Sequence, residues 1–347
     1  MPRLDYSGSC PSLLLEPQRT NLVYQSEYLG AWSATNCSVT ANSITSPEGV
    51  TNSFKITENS AASTQHRVAL GSIGGSSATY TMSAYVKNSS GTRMAYIDMG
   101  PVTAHFNFST QTIYSAQGTA DWEDAGDGWY RIWMTSNTAI TSSTAYVGLS
   151  VSNNETYSGD GSSAIEFYGI QIEAGSYPTS YIPTYGTSVS RSQENCYKTG
   201  ISDLIGQTQG TIFFDWIMNH ESPNTSEDLY TLSLSDGSGS KLIGINNYNN
   251  ALAVFITDTT TQFFDNSYTG GADGARIKLA LAYANNDIAL YINGTQIATD
   301  SSASIPTLNQ IRLNTFWTGN LPDNPSVNQL SLFKTRLTNA ELAALTA

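Results

Sequence analysis

The sequence predicts an all-β protein: two antiparallel β-sandwiches in tandem, closed by a short C-terminal helix. Three observations carry this. Short runs alternating apolar and polar residues recur along the whole chain, clusters of Gly, Asn, Ser and Asp separate them, and no helical period shows before the last ten residues.

In the first half the runs are TYTMSAYV (79–86), RMAYIDM (93–99), WYRIWMT (129–135), TAYVGLSV (144–151) and AIEFYGIQIE (164–173). Period two over such lengths, with turns between, reads as half-buried antiparallel strands. After Ser192 the pattern restarts with GTIFFDWIM (210–218), LYTLSLS (229–235), KLIGINN (241–247), ALAVFIT (251–257), RIKLALAYA (276–284), IALYINGTQIAT (288–299), IRLNTFW (311–317) and NQLSLFKT (328–335). Within YINGTQIA, Asn293-Gly294 between two apolar runs predicts a type I′ hairpin. In LTNAELAAL, Thr338 followed three residues on by Glu341 forms a capping box, so the helix is expected to start there. The boundaries that follow are an N-terminal arm over 1–20, one sandwich over 21–183, a stiff linker over 184–206 and a second sandwich over 207–347.

The linker grows out of GSYPTSYIPTYGTSVSRS (175–192). Residues before proline are pushed towards extended conformations, so Tyr177 and Ile182 are expected to be extended and the tyrosines to pack on the flank of the first sandwich. The arm carries Arg3, Asp5, Glu16 and Arg19, expected to tie it to that seam by ion pairs, with Leu13–Leu15 covering a sandwich edge against strand addition.

With 347 residues, each half can bury its own core. Charged residues make up only 12%, leaving a surface of Ser, Thr, Asn and Gly that suits β-rich extracellular or virion proteins meeting sugars. Thr and the 20 tyrosines also simply fit pleated sheets. Phosphate-backbone binding needs clustered cations. A net charge of −13 with 15 scattered Lys and Arg therefore argues against nucleic acid. No 18-residue apolar span is present, so no membrane insertion is expected. MPRLDYSGSCPSLLLEP has no charged-then-apolar run of secretion-signal length. Three cysteines, Cys10, Cys37 and Cys196, leave at least one thiol unpaired and show no metal-ligand spacing.

Three segments carry a family resemblance. PRLDYSGSCPSLLLEPQRTNLVYQSEYLGAW (Pro2–Trp32) resembles the opening of a domain family of bacteriophage and prophage tail fibres and other tail proteins. YGIQIEAGSYPTSYIPTYGTSVSRSQE (Tyr168–Glu194) resembles that family's close, and DAGDGWYRIWMT (Asp124–Thr135) its internal Gly-Trp-Tyr-Arg strand. The second half, most clearly NQLSLFKTRLTNAELAALT (Asn328–Thr346), resembles the laminin-G-like, concanavalin A-type lectin sandwiches of the same proteins. The resemblance implies a jelly roll akin to carbohydrate-binding modules, followed by a lectin-like domain. It also implies a calcium ion where first and last strands meet, held partly by a last-strand aspartate. Here that run reads FYGIQIE, with Tyr168 and Gly169 at the place of the aspartate, which leaves Glu27 and Glu173 as carboxylate candidates.

Chemistry is sparse. Glycan hydrolysis needs two carboxylates about 5–10 Å apart, and no strand of the second half carries an i, i+2 or i, i+4 acidic pair; Asp215 stands alone and Asp287 sits in a turn. Asp121, Glu123, Asp124 and Asp127 cluster in what reads as a solvated, Gly-containing loop. Glycan lyases of this fold use Tyr, His and Arg. Of the three histidines, His66 and His105 fit ordinary strand positions and His220 starts a loop.

Sugar binding asks for an aromatic face beside amides and carboxylates. In NTFWTGNLPDNPS (Asn314–Ser326), Trp317 stands beside Asn314, Asn320, Asp323 and Asn324, the first choice of ligand site. In DWEDAGDGWY, Trp122 reads as loop-borne and exposed, the second choice. Trp129 and Trp133 share parity with Arg131 and so line one face, whether core or surface. Trp216 shares parity with Ile212 and Phe214 and is expected in the core.

The expectation is a non-catalytic virion protein, assembled in the host cytoplasm and acting outside the cell. Its partners would be a host surface glycan and other tail proteins, in a chain that could be one protomer of a trimer. A glycan depolymerase and a ligand-free spacer are the alternatives.

Overall fold

The computed structural model describes residues 3–5, 11–218, 229–248, 251–270, 274–314 and 325–347. The protein is all-β, with one short helix at the C-terminus. The chain divides into two compact units, residues 18–192 and residues 1–17 together with 193–347.

The first unit is a sandwich of two six-stranded antiparallel sheets. One runs, in spatial order, Thr112–Ala116, Thr103–Asn107, Met94–Asp98, Ile140–Ser150, His66–Ala78 and Ser33–Thr35. The other runs Gly118–Gly126, Trp129–Ser136, Tyr80–Ser90, Ala164–Ala174, Phe54–Glu58 and Cys37–Ala41. Alternation does the sorting. Along Tyr80–Ser90, Tyr80, Met82, Ala84 and Val86 turn into the core, against Ala95, Ile97, Ala104, Phe106, Val147 and Leu149 of the facing sheet. Full burial stabilises each large apolar side chain by about 1.5–3 kcal/mol.

Of the tyrosines expected to pack on this unit, Tyr177 and Tyr181 are half-buried, while Tyr185 is 75% exposed. Thr179, Ile182 and Thr184 are buried, and the wholly buried Asn21 side chain donates to the carbonyls of Ile170 and Ile182 at 3.2 and 2.8 Å. Arg19 lies 3.6 Å from the Glu173 carboxylate and over the ring of Tyr177.

In the second unit one sheet runs Arg3–Asp5, Ser12–Leu14, Ser326–Phe333, Gln209–Ile217, Arg276–Ala284, Asp287–Ile292 and Thr295–Asp300. The other runs Cys196–Thr199, Gln310–Leu313, Leu229–Ser235, Lys241–Tyr248, Ala251–Asp258 and Thr260–Tyr268. The end of the N-terminal arm pairs along the seam, Arg19 and Thr20 with Arg191 and Ser190, whereas its earlier residues join a sheet of this unit. Leu13 and Leu14 pair with Val327 and Ser326, and Leu15 is buried in this unit's core. The apolar triplet thus covers a sheet edge as expected, leaving the strand Ser326–Phe333 paired on both sides. Trp216 is fully buried and stacks on Phe214, as its parity requires.

Asn293 and Gly294 are both left-handed, the requirement of the predicted type I′ turn. The helix Asn339–Thr346 opens with both halves of the capping box, and Leu342 packs against Phe213, Ala280, Ala282, Ala289 and Tyr291. No helix among the described residues is long and apolar enough to cross a membrane.

A candidate glycan-recognition face on the first sandwich

The first-choice site falls mostly outside the described residues, which include neither Trp317, Asn320, Asp323 nor Asn324. His220 also lies outside them. Asn314 is described: it follows the strand Gln310–Leu313 in a left-handed conformation, donates its backbone N–H to the Thr231 carbonyl, and is wholly buried.

The second choice needs correction. Trp122 is not loop-borne but sits in the strand Gly118–Gly126 with its ring turned inward, 5.5 Å from Phe106 and 5.6 Å from Tyr130. The reason is register. Trp122 faces Ile132, so parity sends both towards the core and sends the flanking Asp121 and Glu123 outward, opposite Trp133 and Arg131. The acidic cluster is likewise mostly strand, with Asp127 alone in the turn.

The outward face of this sheet is where aromatic and polar groups meet. It carries Trp129, Arg131 and Trp133 from one strand, Ser83, Tyr85 and Lys87 from the next, and Tyr168, Gln171 and Glu173 beyond. The face that parity left open lies outside the main core cluster, although Trp129 and Arg131 on it are buried. Trp133 is half-buried and stands outside the core cluster, with Asp121 and Ser83 as its cross-strand neighbours. Arg131 is nearly buried; it donates to the Thr179 carbonyl and Ser83 Oγ, lies 3.7 Å from Glu123, and sits 5.6 Å over the Tyr85 ring. It thereby clamps the residues after the last strand onto this face.

At one end the face opens into a cleft of about 540 Å³, lined by Thr45, Ser46, Lys87, Asn88, Asp127 and Trp129 among others. That volume lies within the range of small-ligand pockets. Trp129 forms its floor, fully buried, with its indole N–H donating to the Thr45 carbonyl at 3.1 Å. Trp129 and Trp133 are about 13 Å apart at ~3.3 Å per residue. Lys87 and Tyr85 escaped the sequence reading, although TYTMSAYVK marks them: once Met82, Ala84 and Val86 are core, both must point outward.

The metal candidates have other partners. Glu173 is wholly buried and accepts from Gln171 Nε2 and Thr179 N, both at 2.7 Å, and from Thr179 Oγ1 at 2.6 Å. Glu27 accepts from the Tyr181 hydroxyl, and burial pushes its carboxyl above the usual carboxylate range. No group of three His, Cys, Asp or Glu placed to hold a metal occurs among the described residues.

The Tyr, His and Arg types of lyase chemistry do gather, on the outward face of the opposite sheet. Tyr96 and His105 have ring centroids 5.8 Å apart, and Arg67 lies 3.6 Å over Tyr146. Both His105 nitrogens are engaged, Nδ1 with Ser150 Oγ at 2.9 Å and Nε2 with Glu155 at 3.3 Å, and Tyr96 is wholly buried. A base needs a free nitrogen within reach of substrate. In the second unit the Asp215 carboxylate is held by Arg276 at 2.9 and 2.6 Å and by Asn328 at 3.2 Å.

The fold and this face define a two-sandwich β protein whose outward aromatic and polar sheet face is mostly buried and meets solvent at Tyr85, Lys87 and Trp133. No family model matches the chain, and no curated protein matches its sequence. Among solved structures it is similar to the CBM40 module of the Ruminococcus gnavus IT-sialidase bound to α2,3-sialyllactose: 16% identity over 42% of this chain and 86% of that one, TM-score 0.36. It is also similar to the NanB sialidase of Streptococcus pneumoniae, with 13% identity over 44% of this chain and 27% of that one, TM-score 0.35. A third is the botulinum neurotoxin serotype G binding domain, with 9% identity over 47% of this chain and 43% of that one, TM-score 0.37. At these scores the likenesses assign neither ligand nor activity.

Proposed function

We propose that the chain is a non-catalytic glycan-binding protein whose ligand lies on the outward sheet face of residues 18–192. The observation behind this is Trp133, a half-buried tryptophan outside the core, flanked by Asp121 and Ser83 and leading along its strand to the cleft over Trp129. A tryptophan face offers apolar contact for a sugar's C–H surface, and nearby carboxylate, hydroxyl and amide groups fix its hydroxyls. The biological setting we propose, a phage tail that recognises a host surface glycan beside other tail proteins and as a trimer, rests on the sequence resemblance of Pro2–Trp32, Asp124–Thr135 and Tyr168–Glu194.

The test is a glycan array with whole-cell binding, run on the wild type and on Trp133→Ala with matched melting temperatures. Binding that the substitution abolishes supports the assignment. Flat arrays and no cell binding would make the chain a spacer, and sustained release of reducing or unsaturated ends would make it a depolymerase.

A further inference from the structure

Resting on that assignment of the face, we propose that the cleft receives an anionic sugar, one bearing a carboxylate or a sulfate, with the Lys87 ammonium as its counter-charge. Lys87 lines the cleft half-buried. Its Nζ donates to the backbone carbonyl of Asp127, an uncharged acceptor that engages one of its three N–H groups. No carboxylate among the described residues lies within ion-pair distance of it. Its cross-strand neighbour Glu166 is turned away, accepting from Ser43 Oγ at 2.9 Å and Ser53 Oγ at 3.0 Å. In a chain of net charge −13, a cation left to a neutral partner inside a cleft is a specific invitation to an anion.

The surroundings keep that ammonium reachable. Gly49 and Gly126 line the cleft in left-handed conformations, and a Cβ at either would meet nothing within 4 Å. Gly128, left-handed as well, would place a Cβ 3.6 Å from Lys87 Cε, so a larger residue there would crowd the stem. Thr45, Ser46, Asn88 and Ser89 supply hydroxyl and amide groups for the rest of the ring, and Asp127 is the acidic residue of the lining. A charge-assisted N–H···O⁻ contact is about twice as strong as a neutral one, so Lys87 would select by charge while Trp133 holds neighbouring residues without regard to it.

The experiment uses the full chain on an array of acidic, sulfated and neutral oligosaccharides, with titration calorimetry on three probes: an oligogalacturonate, its carboxyl-reduced form and a sulfated galactan oligosaccharide. The proposal expects a preference for anionic probes that weakens with salt. Lys87→Gln should lower anionic binding roughly tenfold and narrow the preference for anionic over neutral probes, and Trp133→Ala should lower both. Preference for one anionic probe over the other tells carboxylate from sulfate. Equal binding of the acidic and reduced forms, or an anion preference that survives Lys87→Gln, overturns the proposal while leaving the face intact as a glycan site. Binding to neutral glycans alone, or to none, also overturns it; loss of the face itself would show as binding indifferent to Trp133→Ala.

Discussion

Asp98 should make this protein more stable as the solution turns acid. It lies on the outward face of the sheet opposite the proposed glycan face, 7% exposed, 4.0 Å from Arg67, and accepts from the backbone N–H of Gly100. Burial is the main force on its carboxyl, with Glu155 adding to it, and together they push the pKa from the ordinary 3.8 to about 6. A carboxyl whose pKa is raised on folding costs the native state while it is ionised. The cost is in full force above pH 6 and vanishes below 3.8, so stability rises as pH falls through that window. At 1.36 kcal/mol per pH unit the full cost is about 3 kcal/mol. Asp98→Asn keeps an oxygen for the Gly100 N–H and removes the charge. It should therefore stabilise the protein at pH 8 by up to about 3 kcal/mol, roughly 6–12 °C in Tm for a unit of this size, and give no gain at pH 3.5. Calorimetric melts of both proteins from pH 3.5 to 8 measure this. A variant that melts below the wild type at pH 8 would mean that Arg67 stabilises the ionised form by more than burial costs, and the reasoning would fail.

Other outcomes follow from the same geometry. Glu58 is buried and accepts a two-pronged pair from Arg93, with the Tyr157 hydroxyl and the Asp160 N–H on the same carboxylate. Arg93→Ala should cost about 3–5 kcal/mol by stranding that charge, while Arg93→Ala with Glu58→Gln should recover part of the loss in thermal melts. Trp122→Ala, at a half-buried ring packed against the core, should cost less than the about 3–5 kcal/mol of a full core truncation yet leave glycan affinity per folded molecule unchanged. Chelator should move the melting temperature of the first sandwich little, because Glu173 already accepts three hydrogen bonds; a large drop would reveal a metal held by other residues.

Strand alternation made the architecture readable from sequence. Met82, Ala84 and Val86 on one parity, or Ile212, Phe214 and Trp216 on another, suffice to orient a strand, and the Asn-Gly turn and capping box are local motifs with local causes. The face of Trp133 was half readable: parity grouped it with Trp129 and Arg131, but only the second sheet decides which side of the first is core. Trp122 misled because the acidic, Gly-containing string around it looks like a turn. Pairing with Ile132 makes it strand, and cross-strand pairing is a long-range fact. Leu13–Leu15 could be read as an edge cover, but the edge they cover could not be named, because their partner strand lies some 310 residues further along the chain. The cleft could not be read at all, since Thr45, Lys87 and Asp127 come from three separate segments.

The most direct test of a glycan face on the first sandwich is indole N–H NMR of the tryptophan-labelled chain, titrated with the strongest glycan from the array. Resonances are assigned by single Trp→Phe substitutions. The geometry predicts that Trp133 shifts with saturating dependence on glycan, that Trp129 moves with it if the cleft is filled, and that the core residues Trp122 and Trp216 stay where they are. Saturating shifts elsewhere with Trp133 unmoved would contradict it.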